Sequence, residues 1–192
     1  LGLNATFQKL EQHTINEVIE PAWGIRSKIK DQYNEIELFF EEDFSLIFRA
    51  YNDGVAYRFK TDLKGDIIVQ SEEVQYRFTN DYKLVAHVVD AFENSYEKTY
   101  TKHQISDVKK NSLTSLPLVV DQDQVKLAIT ESDLFDYPGM YLTKKGSHNR
   151  HYLDAVFPEY VLEDEIGGWG EFNKVVKKRA DFLAKTTGKR EF

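Results

Sequence analysis

From residue 33 to residue 59 the chain alternates large apolar side chains with other residues, and the pattern breaks twice. Ile36, Leu38 and Phe40 alternate with Glu35, Glu37 and Phe39. After Glu41-Glu42-Asp43 the alternation resumes at Phe44, Leu46 and Phe48. Asn52-Asp53-Gly54 then precedes Val55, Tyr57 and Phe59. A period of two marks half-buried strands, because successive side chains of a strand point to opposite faces. Asn, Asp and Gly tolerate φ > 0, as a tight hairpin turn requires. The segment is predicted to be a three-stranded antiparallel meander over 34–41, 44–51 and 54–60.

The same period returns downstream. Leu84, Ala86 and Val88 alternate with Val85, His87 and Val89. This strand, over 83–89, is apolar on both sides and so predicted to be central. Leu118 and Val120, then Val125, Leu127 and Ile129, flank Asp121-Gln122-Asp123-Gln124 as a hairpin, its second arm over 125–130. Pro138-Gly139 signals a type II turn, and a further strand is predicted over 150–157. Residues 1–32 carry only a weak pattern. Lys60 to Asp66 reads as a polar link punctuated by Gly65, and 91–116 as an irregular excursion. Residues 171–192 fit either a helical or a strand period. The strand is preferred because every clear element is one. Short strands separated by turn signals predict an all-β, mainly antiparallel fold of two packed sheets with little helix. Two sheets face to face bury both sets of apolar side chains.

Composition sharpens this picture. Aromatic residues make up 14% of the 192-residue chain, including 13 Phe and 11 Tyr, which favours pleated surfaces. The formal charge of −7 argues against a nucleic-acid partner, which needs a basic face to neutralise phosphates. The chain has no cysteine, so disulfides and thiolate metal sites are excluded. No apolar run approaches the roughly 18 residues of a membrane span. Leu1-Gly2-Leu3 lacks the basic leader of a signal peptide, and its abrupt apolar start is read as the beginning of a fragment.

Candidate chemistry is sparse. No phosphate-binding loop, nucleophile elbow, HExxH or EF-hand motif is present. His13, His87, His103, His148 and His151 read as structural or solvated. His148 and His151 are three apart, a spacing that suits a shared metal only on a helix. Trp23, Trp169, Tyr137 and Tyr141 are candidates for stacking on sugar rings, for docking another domain, or for the core. Glu131 stands out among many carboxylates. It lies where an apolar strand gives way to a turn-rich, aromatic loop, Ile129 to Gly139, and such loops carry binding groups. A solvated charge, or a local turn around Ser132-Asp133, is the alternative.

Several phrases together resemble the N-terminal domain of glycoside hydrolase family 97, the bacterial α-glucosidases and α-galactosidases. They are Tyr33-Asn34-Glu35, RAYNDGVAYRF at 49–59, LAITESDLFDYPGMYL at 127–142 and AKTTGKREF at 184–192. The stretch from Phe92 to Leu116 matches only loosely. The resemblance implies an antiparallel β-supersandwich, truncated at both ends, and a periplasmic or secreted enzyme. It implies that the catalytic residues belong to a (β/α)8 barrel of the same polypeptide, absent here, so that no catalytic residue and no glycosidase activity is expected of residues 1–192 alone. It also implies that Glu131 ligates an active-site calcium in the full-length enzyme, whose substrate is an α-linked oligosaccharide. The carboxylate is expected to be exposed, or to end a strand and point off the domain. Two other readings stand beside this: an independent carbohydrate-binding module, and a purely structural buttress.

Overall fold

The computed structural model of the chain describes residues 4–132, 134–146, 151–167 and 173–191. Fourteen strands are described: β1 (Phe7–Ile19), β2 (Ile29–Phe40), β3 (Phe44–Ala50), β4 (Val55–Val69), β5 (Gln75–Arg77), β6 (Lys83–Val89) and β7 (Thr101–Gln104); then β8 (Leu113–Gln122), β9 (Val125–Ile129), β10 (Tyr141–Thr143), β11 (Tyr152–Val156), β12 (Val161–Ile166), β13 (Lys174–Arg179) and β14 (Ala184–Glu191). A single 3₁₀ turn, Ile105–Asp107, is the only helix among the described residues. No helix among the described residues is long and apolar enough to cross a membrane. The all-β, antiparallel class read from alternation holds. The chain divides into two compact units, Leu1–Ile67 with Thr187–Phe192, and Ile68–Thr186.

The first unit is built on a five-stranded sheet in the order β1-β2-β3-β4-β14. The expected meander is there, in register: Glu37 opposes Ile47, Leu38 opposes Leu46, and Leu46 opposes Phe59. Phe44 and Ile47 are buried, and the Phe44 ring stacks on Phe40 at 4.6 Å. Glu37 is buried too. It survives there because its Oε1 accepts from Ser45 Oγ at 2.6 Å and from Lys60 Nζ at 3.2 Å. A buried carboxylate without such partners would be costly.

Three expectations change in this unit. Asn52-Asp53-Gly54 joins β3 to β4 without any positive φ. Tyr51 N donates to Gly54 O at 2.8 Å across a four-residue loop, and the left-handed residue is instead Asp43, φ 55°. Longer loops do not need the two left-handed residues of a two-residue turn. The stretch Lys60–Asp66 is strand, since β4 continues through it to pair with β14. Gly65, φ 74°, absorbs a left-handed kink that other residues adopt at a cost. The weakly patterned segment 1–32 contains β1, thirteen residues paired with β2 from Phe7 to Ile19.

The second unit carries a seven-stranded sheet, β5-β11-β10-β8-β6-β7, with β9 added to β8, and the separate hairpin β12-β13. The β8–β9 hairpin turns at Asp123, φ 64°, and Gln124. Leu84, Leu118, Leu142 and Leu153 are wholly buried in the main core of this unit. A smaller cluster forms on Val89, Leu113 and Tyr141, with Phe92 and Val156 against it. The excursion at 91–116 is partly regular, holding β7, the 3₁₀ turn and the start of β8. The strand preferred for the end of the chain, Ala180–Ala184 running to Gly188, is met only in part: β13 ends at Arg179, Asp181, Phe182 and Leu183 form a bend, and β14 begins at Ala184. Phe172, which fitted the helical alternative, lies outside the described residues.

Candidate functional site

The loop after β9 is organised by side chains folding back on it. Ile129 ends the strand, buried, and two residues later Glu131 turns its carboxylate across the loop. Glu131 Oε1 accepts from Met140 N at 2.7 Å. Asp136 is left-handed, φ 52°, a conformation Asp tolerates better than most residues. Tyr137 hangs back toward the core, its ring edge-on to Phe157 at 6.2 Å, and its hydroxyl donates to Glu72 Oε2 at 2.6 Å. Met140 is buried. No tight turn is formed at Pro138-Gly139; the turn residues are Phe135 and Asp136.

Glu131 is therefore half-buried and directed across its own loop, not off the domain as expected. Burial pushes its carboxyl up from the ordinary value of 4.5, the Met140 N–H pulls it back, and the charge of Glu72 raises it again. Removing a carboxylate from water disfavours its charged form, and a second carboxylate nearby adds to that. Glu131 Oε2 has no hydrogen-bond partner among the described residues. The chemistry on offer is that of one hard carboxylate oxygen, held in place by a backbone N–H. One carboxylate is not a metal site by itself: no group of three or more His, Asp or Glu side chains able to hold a metal ion occurs among the described residues.

The other candidates separate cleanly. His13 is exposed on β1, and His103 bonds Thr101 within β7. His151 precedes β11, while His148 and Trp169 lie outside the described residues. Tyr141 is core. Trp23 is not: it is 88% exposed. Sequence reasoning missed the tight pairing of His87 with Ser115. His87 Nδ1 and Ser115 Oγ are 2.8 Å apart, beneath the rings of Tyr96 and Tyr100, centroids at 6.0 and 5.8 Å. The signal was His87 itself, in a strand apolar on both sides. The pair is buried beneath those rings, so it ties β6 to β8 and presents no accessible nucleophile. The partnership of Glu72 with this loop carried no sequence signal, since 59 positions separate it from Glu131.

The fold and the loop thus define an antiparallel all-β domain with one half-buried carboxylate held by a backbone N–H. The profile described as "Glycosyl-hydrolase 97 N-terminal" matches residues 1–181, and the chain belongs to that family. It is 36% identical to a retaining alpha-galactosidase of Bacteroides thetaiotaomicron, over all of this chain and 30% of that protein. In fold it is similar to a glycoside hydrolase family 97 enzyme of Pseudoalteromonas sp. strain K8 solved with acarbose. That likeness has a TM-score of 0.72 at 22% identity, covering 97% of this chain and 26% of that one. A beta-arabinopyranosidase gives a TM-score of 0.74 at 17% identity, over 98% of this chain and 31% of its own. The chain thus spans about a third or less of the proteins it matches.

Proposed function

We propose that the chain is the non-catalytic N-terminal β-domain of a periplasmic or secreted α-glycosidase acting on α-galactosides or α-glucosides, and that Glu131 gives one carboxylate to an active-site calcium of the full-length enzyme. One observation carries the reading: Glu131 is a half-buried carboxylate with one oxygen fixed on Met140 N and the other free of hydrogen bonds among the described residues. Calcium takes about 6–8 hard oxygens, carboxylates among them, so the residue present fits the ion while most of its ligands must come from elsewhere. When bound, the ion supplies a fixed positive charge that orients substrate hydroxyls and neighbouring acids.

The chain's own part is positional. Met140 N–H fixes the carboxylate, and Tyr137 holds Glu72 at the far side of the loop. The raised carboxyl means that a cation gains more here than at a solvated glutamate, because it relieves a burial cost already incurred. The similarity to an alpha-galactosidase supports the substrate class. The test is calcium-titrated activity of the full-length enzyme against Glu131→Gln on p-nitrophenyl α-galactoside and α-glucoside. The variant is expected to lose activity and to need more calcium for what remains. Superimposable curves would return Glu131 to a loop-capping role and leave a purely structural buttress.

A further inference from the structure

Hairpin β1–β2 outruns its sheet. Only Asn34–Phe39 of β2 pair with β3, so Ile15–Ile19 and Ile29–Tyr33 pair with each other alone. They form a two-stranded arm that ends in the loop 20–28. A two-stranded ribbon is marginal in water by itself. Cross-strand contacts on one face support it: Thr14 Oγ1 with Asn34 Oδ1 at 2.9 Å, and Gln32 Nε2 to Asn16 Oδ1 at 2.5 Å. Lys28 pairs with Glu20 at the tip, 2.9 Å.

The opposite face is different. Its cross-strand pairs are Ile15 with Tyr33, Glu17 with Asp31, and Ile19 with Ile29. Two carboxylates thus stand directly opposite one another between two apolar pairs. Like charges in that position destabilise a ribbon, and neither forms an ion pair among the described residues. Arg49 is committed to Glu35 at 2.7 Å and lies over the Tyr33 ring, and Lys28 is committed to Glu20. At the end of the arm Trp23 and Ile25 are exposed almost completely. An apolar tip and an apolar face with an uncompensated acidic centre describe the imprint of something apolar with a basic centre.

We propose that this arm, residues 15–33, docks on the part of the enzyme's polypeptide outside residues 1–192, on an apolar surface that carries a lysine or arginine facing Glu17 and Asp31. The inference rests on the accessory-domain reading above, and it names the arm as the surface through which the domain is held. The chain spans 30% of the alpha-galactosidase it resembles, so a large partner on the same polypeptide is at hand. A second copy of the arm is a poor occupant: face to face, two arms would bring four carboxylates together. Rim charges that meet opposite charges fix register and exclude wrong partners.

The test is amide hydrogen exchange on the full-length enzyme. Wild type is expected to protect the amides of 15–19 and 29–33. Trp23→Ser with Ile25→Ser should speed their exchange at least about tenfold, together with that of a surface segment beyond residue 192. The decisive variant is Asp31→Asn, because its sign differs between the two cases. A docked arm loses an ion pair and exchanges faster. A free arm loses a repulsion and exchanges more slowly. Slower or unchanged exchange in Asp31→Asn overturns the proposal, as does wild-type protection that fades on dilution, which would assign the arm to a second copy. Exchange is read without substrate or calcium. Protection of the arm with an inert Glu131→Gln therefore supports docking while removing only the metal role.

Discussion

The arm of β1–β2 and the centre of the seven-stranded sheet share one backbone pattern, the antiparallel ladder, and little else. In the sheet, Leu84, Leu118, Leu142 and Leu153 are wholly buried. In the arm, Val18, Ile19 and Ile29 are exposed, and side-chain amides and hydroxyls carry the cross-strand contacts. Ladder hydrogen bonds exchange for bonds to water and contribute little net stability. Apolar burial, at about 25 cal/mol per Å², is what separates a strand that holds a fold from one that its own domain leaves exposed.

The largest break in this comparison comes from the buried side. Leu142→Ala should lower unfolding stability by about 2–5 kcal/mol, because it deletes packed atoms and leaves a cavity. Urea denaturation reads it as a lower midpoint at similar slope. Next is Gly188→Ala in β14. A Cβ there would stand 2.5 Å from the Leu63 carbonyl oxygen of β4. Backbone cannot yield as a flexible side chain can, so a loss of about 1–3 kcal/mol is expected in the same measurement.

Glu131 lies between the extremes, and its effect has a sign. Its carboxyl is raised in the fold by burial. The folded state therefore holds its proton to higher pH than the unfolded chain does. This contribution is fully present below the ordinary value of 4.5 and is lost as pH rises from there through the raised value. Glu131→Gln should flatten that part of the stability–pH profile in the absence of metal. An unchanged slope would show that burial is not felt by this group. The smallest effect belongs to the arm. Gln32→Ala removes an exposed amide contact and should change stability by less than about 0.5 kcal/mol. A larger loss by thermal melting would mean that the ribbon is already integral to the fold.

The same contrast explains what could be read in the sequence. Strands over 34–41, 44–51 and 83–89 were legible because each has side chains taken out of water, and burial selects alternation; the strand over 125–130 was legible from its alternation although only Ile129 is buried there. β1 was not. Phe7, Leu10, Ile15, Val18 and Ile19 follow no single period, and all but the half-buried Ile15 are exposed, so burial within residues 1–192 imposes none. The polar half of β4 was read as a link for a similar reason: its ladder to β14 is made by backbone, which leaves no mark on side-chain order. At the candidate site, the position of Glu131 at a strand end was legible from pattern and resemblance. Its direction was not, because that depends on Met140 N–H nine residues on, and on Glu72, brought near only by the fold.

β1 has one more consequence. It is the outer strand of its sheet, thirteen residues long, and an open edge of that length invites other chains to add strands to it. Lys9, Glu11 and Glu17 interrupt it at intervals. In a growing stack of identical strands in parallel register, each charge would lie one 4.8 Å step from its own copy, and the repulsion would accumulate with every layer. Placed at the edge, these charges work against fibril growth from the strand most open to it.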